Sequence, residues 1–251
     1  MKVLVIPDVH LKPWMFSEAE RILRSGRADR TVCLMDIADD FDKGMHINLY
    51  EETYDAAISL AKEFPNTLWC CGNHDLSYDW GYLETGYSPY AESTVIRKLS
   101  ELQRSLQNDL QFAYVHRIDN VLFSHGGVTQ EFVREHISAR ESRDIDLVLD
   151  VINALGKREM WKDNSPIWAR PQSGDMKMYQ EKQLLQVVGH TPVERITQMG
   201  NLISCDVFST YRDGSSIGTE EFLLIDTKTW EWEGISSNRS NRRLDETKKN
   251  T

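Results

Sequence analysis

Residues 72–75 read Gly-Asn-His-Asp, which puts an amide, an imidazole and a carboxylate on consecutive positions behind the apolar run TLWCC. Polar groups at the end of a buried strand need partners, so other parts of the chain must meet them there. Comparable groups follow four further apolar runs. Asp8-Val9-His10 follows KVLVIP, and Asp36 follows TVCLM with Asp39 and Asp40 close behind. His125-Gly126-Gly127 follows NVLFS, and Gly189-His190-Thr191 follows LLQVV. Carboxylate oxygen, amide oxygen and neutral imidazole suit borderline to hard divalent ions such as manganese, iron and zinc. An aspartate can bridge two such ions about 3.5–4 Å apart, close enough to clamp the attacking and leaving oxygens of a phosphoryl transfer. One such histidine alone is ordinarily a satisfied loop residue. Four of the seven histidines (His10, His74, His125, His190) occupy strand ends beside aspartates, and together they point to a metal centre. His46, His116 and His136 lack that setting and read as surface or packing residues.

The elements that must position these groups are short. KVLVIP, TVCLM, TLWCC, FAYVH, NVLFS, LLQVVG, NLISC and EFLLI are continuous enough to be strands buried on both faces. SEAERILRSGR, NLYEETYDAAISLAKEF, ESTVIRKLSELQRSLQ and RDIDLVLDVINALGK carry helical periodicity between several of them. Strands alternating with helices early, and crowded strands late, predict a mixed central sheet with helices on both faces. Ligands of open α/β sheets bind at the carboxyl ends of strands, where the five polar motifs fall. The stretch 161–182 carries turn signals and scattered aromatics and is expected to be a long ordered loop beside the sheet. A single domain is expected over residues 1–235, with residues 236–251 a polar, disordered tail.

Composition narrows the class. A chain of 251 residues with 40% hydrophobic and 27% charged residues is an ordinary globular protein. No apolar run is long enough to span a membrane, and the opening MKVLVIPDVH turns charged too soon for a signal peptide, so a cytoplasmic location is expected. A net charge of −10 opposes a sequence-independent grip on a nucleic acid backbone. Cys33, Cys70, Cys71 and Cys205 lack zinc spacing and read as buried thiols.

The ordered set Asp-x-His, Asp-x-x-Asp, Gly-Asn-His-Asp, His-Gly-Gly and Gly-His-Thr resembles the calcineurin-like metallophosphoesterase superfamily. The last two motifs look most like its serine/threonine protein phosphatase branch, which includes bacteriophage lambda phosphatase. The resemblance runs from Asp8 to Asp206 and implies an α/β (α+β) fold, a four-layer α/β/β/α metallophosphoesterase sandwich with mixed central sheets. It implies two divalent metal ions, manganese first, with iron or zinc also suited. Asp8, His10 and Asp36 would hold one ion, and Asp36, Asn73, His125 and His190 the other. His74 would be the general acid or phosphate-contacting histidine, oriented by Asp39. The implied activity is hydrolysis of phosphate monoesters, on a phosphoprotein or a small phosphorylated molecule, by direct attack of a metal-bridging hydroxide.

The chain departs from the family pattern at three points. Met35 precedes Asp36 where the family has glycine, and Asp40 stands where the phosphatase branch has a phosphate-gripping arginine. Thr191-Pro192 follows His190, so the second imidazole of nuclease-like branches is missing. Arg170, in SPIWARP, is a candidate phosphate-binding residue in place of the missing arginine, and Arg212 a weaker one; an arginine fork matches phosphate oxygens. Trp80, Tyr82, Trp161 and Trp168 read as packing before they read as a cleft lining, and Trp230 and Trp232 as a strand with one covered face. Hydrolysis of dinucleoside polyphosphates or other nucleotides shares every metal ligand and is the alternative activity. A catalytically silent scaffold of the same fold is a third reading, kept open by Asp40.

Overall fold

Short runs of valine, isoleucine and leucine bury both faces only if a sheet is covered on each side, and the chain meets that demand by pairing two sheets. The computed structural model describes residues 1–237. In chain order the elements are β1 (Lys2–Ile6), α1 (Trp14–Arg24), β2 (Arg30–Cys33), α2 (Ile47–Glu63), β3 (Leu68–Cys70), α3 (Asn73–Trp80), α4 (Glu92–Ser105), β4 (Phe112–Ala113) and β5 (Val115–Ile118). There follow β6 (Val121–Ser124), α5 (Gln130–His136), α6 (Ile145–Asn153), α7 (Lys157–Met160), β7 (Leu185–Val188), β8 (Thr197–Met199), β9 (Leu202–Ser204), β10 (Glu221–Asp226) and β11 (Trp232–Ser236).

The first sheet has the order β11-β10-β1-β2-β3-β4, with β1 to β4 parallel and the β10–β11 hairpin antiparallel beside β1. The second runs β5-β6-β7-β9-β8, parallel in its centre and antiparallel at both edges. The alternation of β6 shows how they stack. Val121 and Phe123 join the core shared with β1, β2, β3, α1, α2 and α4, whereas Leu122 packs among residues of α5, α6 and α7. Helix, sheet, sheet and helix therefore form four layers. Among the described residues no helix is long and apolar enough to cross a membrane.

Several expectations change. FAYVH is not one strand: Phe112 and Ala113 edge the first sheet, and Val115 onward edges the second. The chain turns at Tyr114, where the side chain of Asn153 accepts from the N–H groups of Tyr114 and Val115 at 3.1 and 3.0 Å. Three helices carried no clear periodic signal, α3, α5 and α7, because each is at most 8 residues long. Trp230 lies in a turn with φ 64°, so only Trp232 belongs to the strand. Ser236 ends β11 opposite Glu221, so the polar tail does not begin there; residues 238–251 lie outside the described residues. All four cysteines are buried and free. His116 is buried in β5 against the Trp69 carbonyl at 3.1 Å, and burial pushes its pKa down to about 4. His136 bonds the Phe132 carbonyl of its own helix and His46 is exposed, so all three histidines outside the motifs serve packing or the surface.

Candidate metal centre

The five motifs lie at the carboxyl ends of β1, β2, β3, β6 and β7, three from one sheet and two from the other, and they meet where the two sheets face each other. The loops after β1 and β2 are laced together. The backbone N–H of His10 donates to the Asp36 carbonyl at 2.7 Å, and that of Leu11 to Ile37 at 3.0 Å. Non-glycine residues with left-handed φ concentrate here: His10 (43°), Leu11 (54°), Met35 (61°), Asp36 (41°), Asp39 (63°) and His190 (63°). Such backbone costs roughly 1–3 kcal/mol per residue and persists where its surroundings over-determine it. Met35, standing where the family has glycine, adopts the left-handed turn and buries its side chain completely. Asp75 helps hold that turn, its carboxylate accepting from Ile37 N at 3.1 Å, Ala38 N at 3.2 Å and the Tyr54 hydroxyl.

Two glycines are required by close approach. A Cβ on Gly72 would stand 2.2 Å from Asp36 Oδ1, and one on Gly189 would stand 2.0 Å from Asp8 Oδ2. Gly72 is also the N-cap of α3, so Asn73 and His74 leave the strand on the first turn of a helix and point in different directions.

All six residues expected to be ligands converge. Ligating atoms of Asp8, His10 and Asp36 lie within 4.8 Å of one another, as do those of Asp36, His125 and His190, so Asp36 belongs to both groups. The second group is built from acceptors. The Nδ1 of His125 donates to the Leu34 carbonyl at 2.9 Å. Its Nε2 faces Asn73 Oδ1 at 3.0 Å, His190 Nδ1 at 3.1 Å and Asp36 Oδ2 at 3.1 Å. A single proton on Nε2 can serve one of these lone pairs; a cation serves them all. Asp8 Oδ2 and His190 Nε2 are buried without a hydrogen-bond partner, although buried polar atoms are nearly always satisfied. The donor set therefore fits divalent cations on this structure's own terms.

The electrostatics agree. Burial opposes ionisation of Asp36, but His125, His74 and His10 overcome it and hold its carboxyl well below the usual range. Burial, reinforced by Asp206 and Asp36, pushes Asp8 above that range, as expected of carboxylates crowded without a counter-ion. Burial and the neighbouring His125 keep His190 neutral.

His74 stands apart from the acceptor cluster. Its backbone N–H donates to Asp36 Oδ1 at 3.0 Å, and its Nδ1 meets Asp39 Oδ2 at 3.0 Å. The other oxygen of Asp39 accepts from the hydroxyls of Tyr50 at 2.9 Å and Tyr78 at 2.5 Å, so the carboxylate cannot swing away. Burial disfavours charge on His74, yet Asp36 and Asp39 outweigh it and raise its pKa to about 9. The side chain is 18% exposed, so the protonated ring remains accessible from solvent.

Arg170 lies at the His190 edge, donating to the His190 carbonyl at 3.0 Å and to Thr191 Oγ1 at 3.2 Å. Asp40 is taken up by Lys12, Thr210 and the N–H of Phe41. The aromatic residues pack on each other, with ring centroids of Trp161 5.0 Å from both Tyr82 and Trp168 and 5.8 Å from Trp80. Trp168 meets the His190 ring edge-on at 5.4 Å, so the stack also buttresses a candidate ligand. The stretch 161–182 lines the β6 motif, with Gly126 N donating to the Pro166 carbonyl at 2.6 Å and Gln130 N to Lys177 at 2.8 Å.

Sequence reasoning missed Asp206 as a member of the cluster. It is buried, both its oxygens accept from Ser209 Oγ, and it adds negative charge beside Asp8 and His10. Its signal was available, because it follows the apolar run NLISC as the other aspartates follow theirs. Tyr50 and Tyr78, which hold Asp39, carried no such signal, since each sits inside a helix, 11 and 39 positions on, rather than at a strand end.

The crowding at Gly189 yields a direct test. Gly189→Ala must displace the Asp8 carboxylate, so manganese affinity in a calorimetric titration is expected to fall by about 10- to 100-fold, as when other groups supporting a ligand are removed. An affinity within about twofold of the parent would remove Asp8 from the ligand set.

A family model described as calcineurin-like phosphoesterase matches residues 1–226. No curated protein matches the chain. Among solved structures, the cold-active protein-tyrosine phosphatase of a psychrophilic Shewanella species is 19% identical with a TM-score of 0.58, over 94% of this chain and 80% of that one. A Saccharomyces cerevisiae protein serine/threonine phosphatase is 14% identical with a TM-score of 0.52, over 94% and 80% of the two chains. Both likenesses are of fold. With the family model spanning nearly the whole chain and its metal-binding motifs gathered in one place, the protein belongs to the calcineurin-like phosphoesterase family, a family of metal-dependent phosphoester hydrolases.

Proposed function

We propose that the protein hydrolyses phosphate monoesters, carried by a phosphoprotein or a small molecule, at a centre of two divalent cations. The observation that carries this reading is the His74–Asp39 pair standing beside the shared carboxylate of Asp36. Asp8, His10 and Asp36 would hold one cation; Asp36, Asn73, His125 and His190 would hold the other. Manganese suits the oxygen-rich set first, with iron and zinc also compatible. When bound, the cations supply activation of a water molecule near neutral pH and compensation of phosphoryl charge.

The chain's own residues account for the rest. Asp39, fixed by Tyr50 and Tyr78, holds the Nδ1 side of His74, which leaves the proton on Nε2 for the departing oxygen of the substrate. Arg170, anchored on the His190 carbonyl, directs its remaining N–H groups towards phosphoryl oxygens. Pro192 stands two positions after His190, where a diesterase would place a second imidazole, which favours monoesters, and Thr191 accepts from Arg170.

Hydrolysis of an aryl phosphate monoester beside its bis-ester, with metal-stripped protein and with manganese restored, tests the reading. Manganese-dependent cleavage of the monoester is expected, with the bis-ester cleaved far more slowly. Preference for the bis-ester would sink the monoesterase assignment. Silence on both, with two equivalents of manganese bound, would favour a scaffold.

A further inference from the structure

A cleft of about 320 Å³ opens between the start of α1, the loop after β2 and the loop after β9, and is joined to the centre through Lys12, which contacts the His10 backbone. In its wall Lys12 and Asp40 have side chains only 12% and 15% exposed. Lys12 Nζ donates to the His10 carbonyl at 3.0 Å and stands 3.5 Å from Asp40 Oδ2. Asp40 is itself pinned, its Oδ1 accepting from Thr210 Oγ1 at 2.7 Å and from the N–H of Phe41 at 2.9 Å. The aspartate therefore acts as a bracket, tying the loop after β2 to the loop after β9 and to the lysine.

An ammonium has three N–H donors. Two of those on Lys12 are directed to His10 and Asp40, which leaves a third on a group that lines the cleft, where Glu220 also adds negative charge near the ammonium. A dianionic phosphoryl group gains from donors on more than one side. Arg170 serves the His190 edge; at the His10 edge the cation in contact with the ligand loop is Lys12.

We propose that Lys12, positioned by Asp40, is a substrate-binding residue whose ammonium donates to a phosphoryl oxygen from the side of the cleft. This rests on the monoesterase reading for its substrate, but its test does not depend on turnover. Asp40 on this view has the opposite effect to that expected of an anion near phosphate, because it holds the cation in place.

The experiment is calorimetric titration of the full chain, loaded with manganese, with orthophosphate, alongside KM for an aryl phosphate. Lys12→Met is expected to weaken orthophosphate binding and raise KM by about tenfold or more, the scale of a hydrogen bond to a charged group. Manganese stoichiometry and Tm should stay near the parent. Lys12→Arg should recover most of the loss, and Lys62→Met, which removes a charge from the exposed side of α2, should leave both constants unchanged. Asp40→Asn should weaken phosphate binding; tighter binding would mean that Asp40 merely repels phosphate and would overturn its positioning role. Phosphate affinity unchanged in Lys12→Met, or in Lys12→Gln should that variant fail to fold, overturns the inference, as does a parent protein that binds no phosphate. Phosphate binding that depends on Lys12 in a protein without turnover would uphold the inference and reject the monoesterase reading.

Discussion

Asp36→Asn is expected to abolish phosphoesterase activity and to remove most of the manganese affinity. Asp36 is the residue common to both donor groups, its Oδ2 faces His125 Nε2 at 3.1 Å, and its Oδ1 receives the His74 N–H at 3.0 Å. Asparagine has nearly the same shape, so the fold should survive. What is lost is the charge that offsets two cations and the three histidines around it. A single preorganised electrostatic group carries about 10²–10³ in kcat, and this carboxylate would serve both cations, so a drop of at least about 1,000-fold is expected. Activity at saturating substrate, together with metal content after dialysis, is the measurement. Retention of two equivalents of manganese with parental affinity would show that Asp36 is not the shared ligand, whatever happened to the rate.

The second large effect belongs to His74, and its signature is dependence on the leaving group. An alkyl phosphate releases a basic alkoxide that needs a proton; a nitrophenyl phosphate releases an oxyanion that hardly does. His74→Asn should lower kcat for an alkyl phosphate by about 100- to 10,000-fold, the range of general acid catalysis, and for nitrophenyl phosphate by much less. Manganese content should be unchanged, because the side chain of His74 belongs to neither donor group. An equal loss on both esters would assign His74 to binding the phosphoryl group and leave the proton donor to be found elsewhere. Asp39→Asn should move in the same direction by a smaller factor, since the two tyrosine hydroxyls still fix the side chain and Asp36 still raises the pKa of His74, while the contribution of Asp39 is gone.

The candidate site was unusually legible in the sequence, and the reason is local. Each candidate ligand follows an apolar run within three positions, and a run buried on both faces leaves its first polar residues at the mouth of the sheet. Asp8, Asp36, Asn73, His125 and His190 were all visible in that way, and Asp206 was visible by the same rule though it was overlooked. Helices α1, α2, α4 and α6 announced themselves because 9 to 17 residues are enough for an apolar stripe to repeat. Shorter elements gave no such repeat. The run FAYVH could not reveal that its two ends belong to different sheets, because apolar character is the same on either side of Tyr114.

The sequence alone shows which residue types stand at which strand ends, and so the chemistry of the candidate ligand set and the family. It also determined the departures at Met35 and Asp40. The packing of the two sheets is what makes three strand ends of one and two of the other face the same point, with Asp36 common to both donor groups. It alone turned Asp40 from an apparent obstacle into the anchor of Lys12, a pair separated by 28 positions, and tied it to Thr210, another 170 positions on. The physical reason is the range of the interactions. Strand burial and its polar endings are set by neighbours along the chain, whereas ion pairs, buried hydrogen bonds and the convergence of lone pairs depend on distances that the packing of the two sheets alone brings within reach.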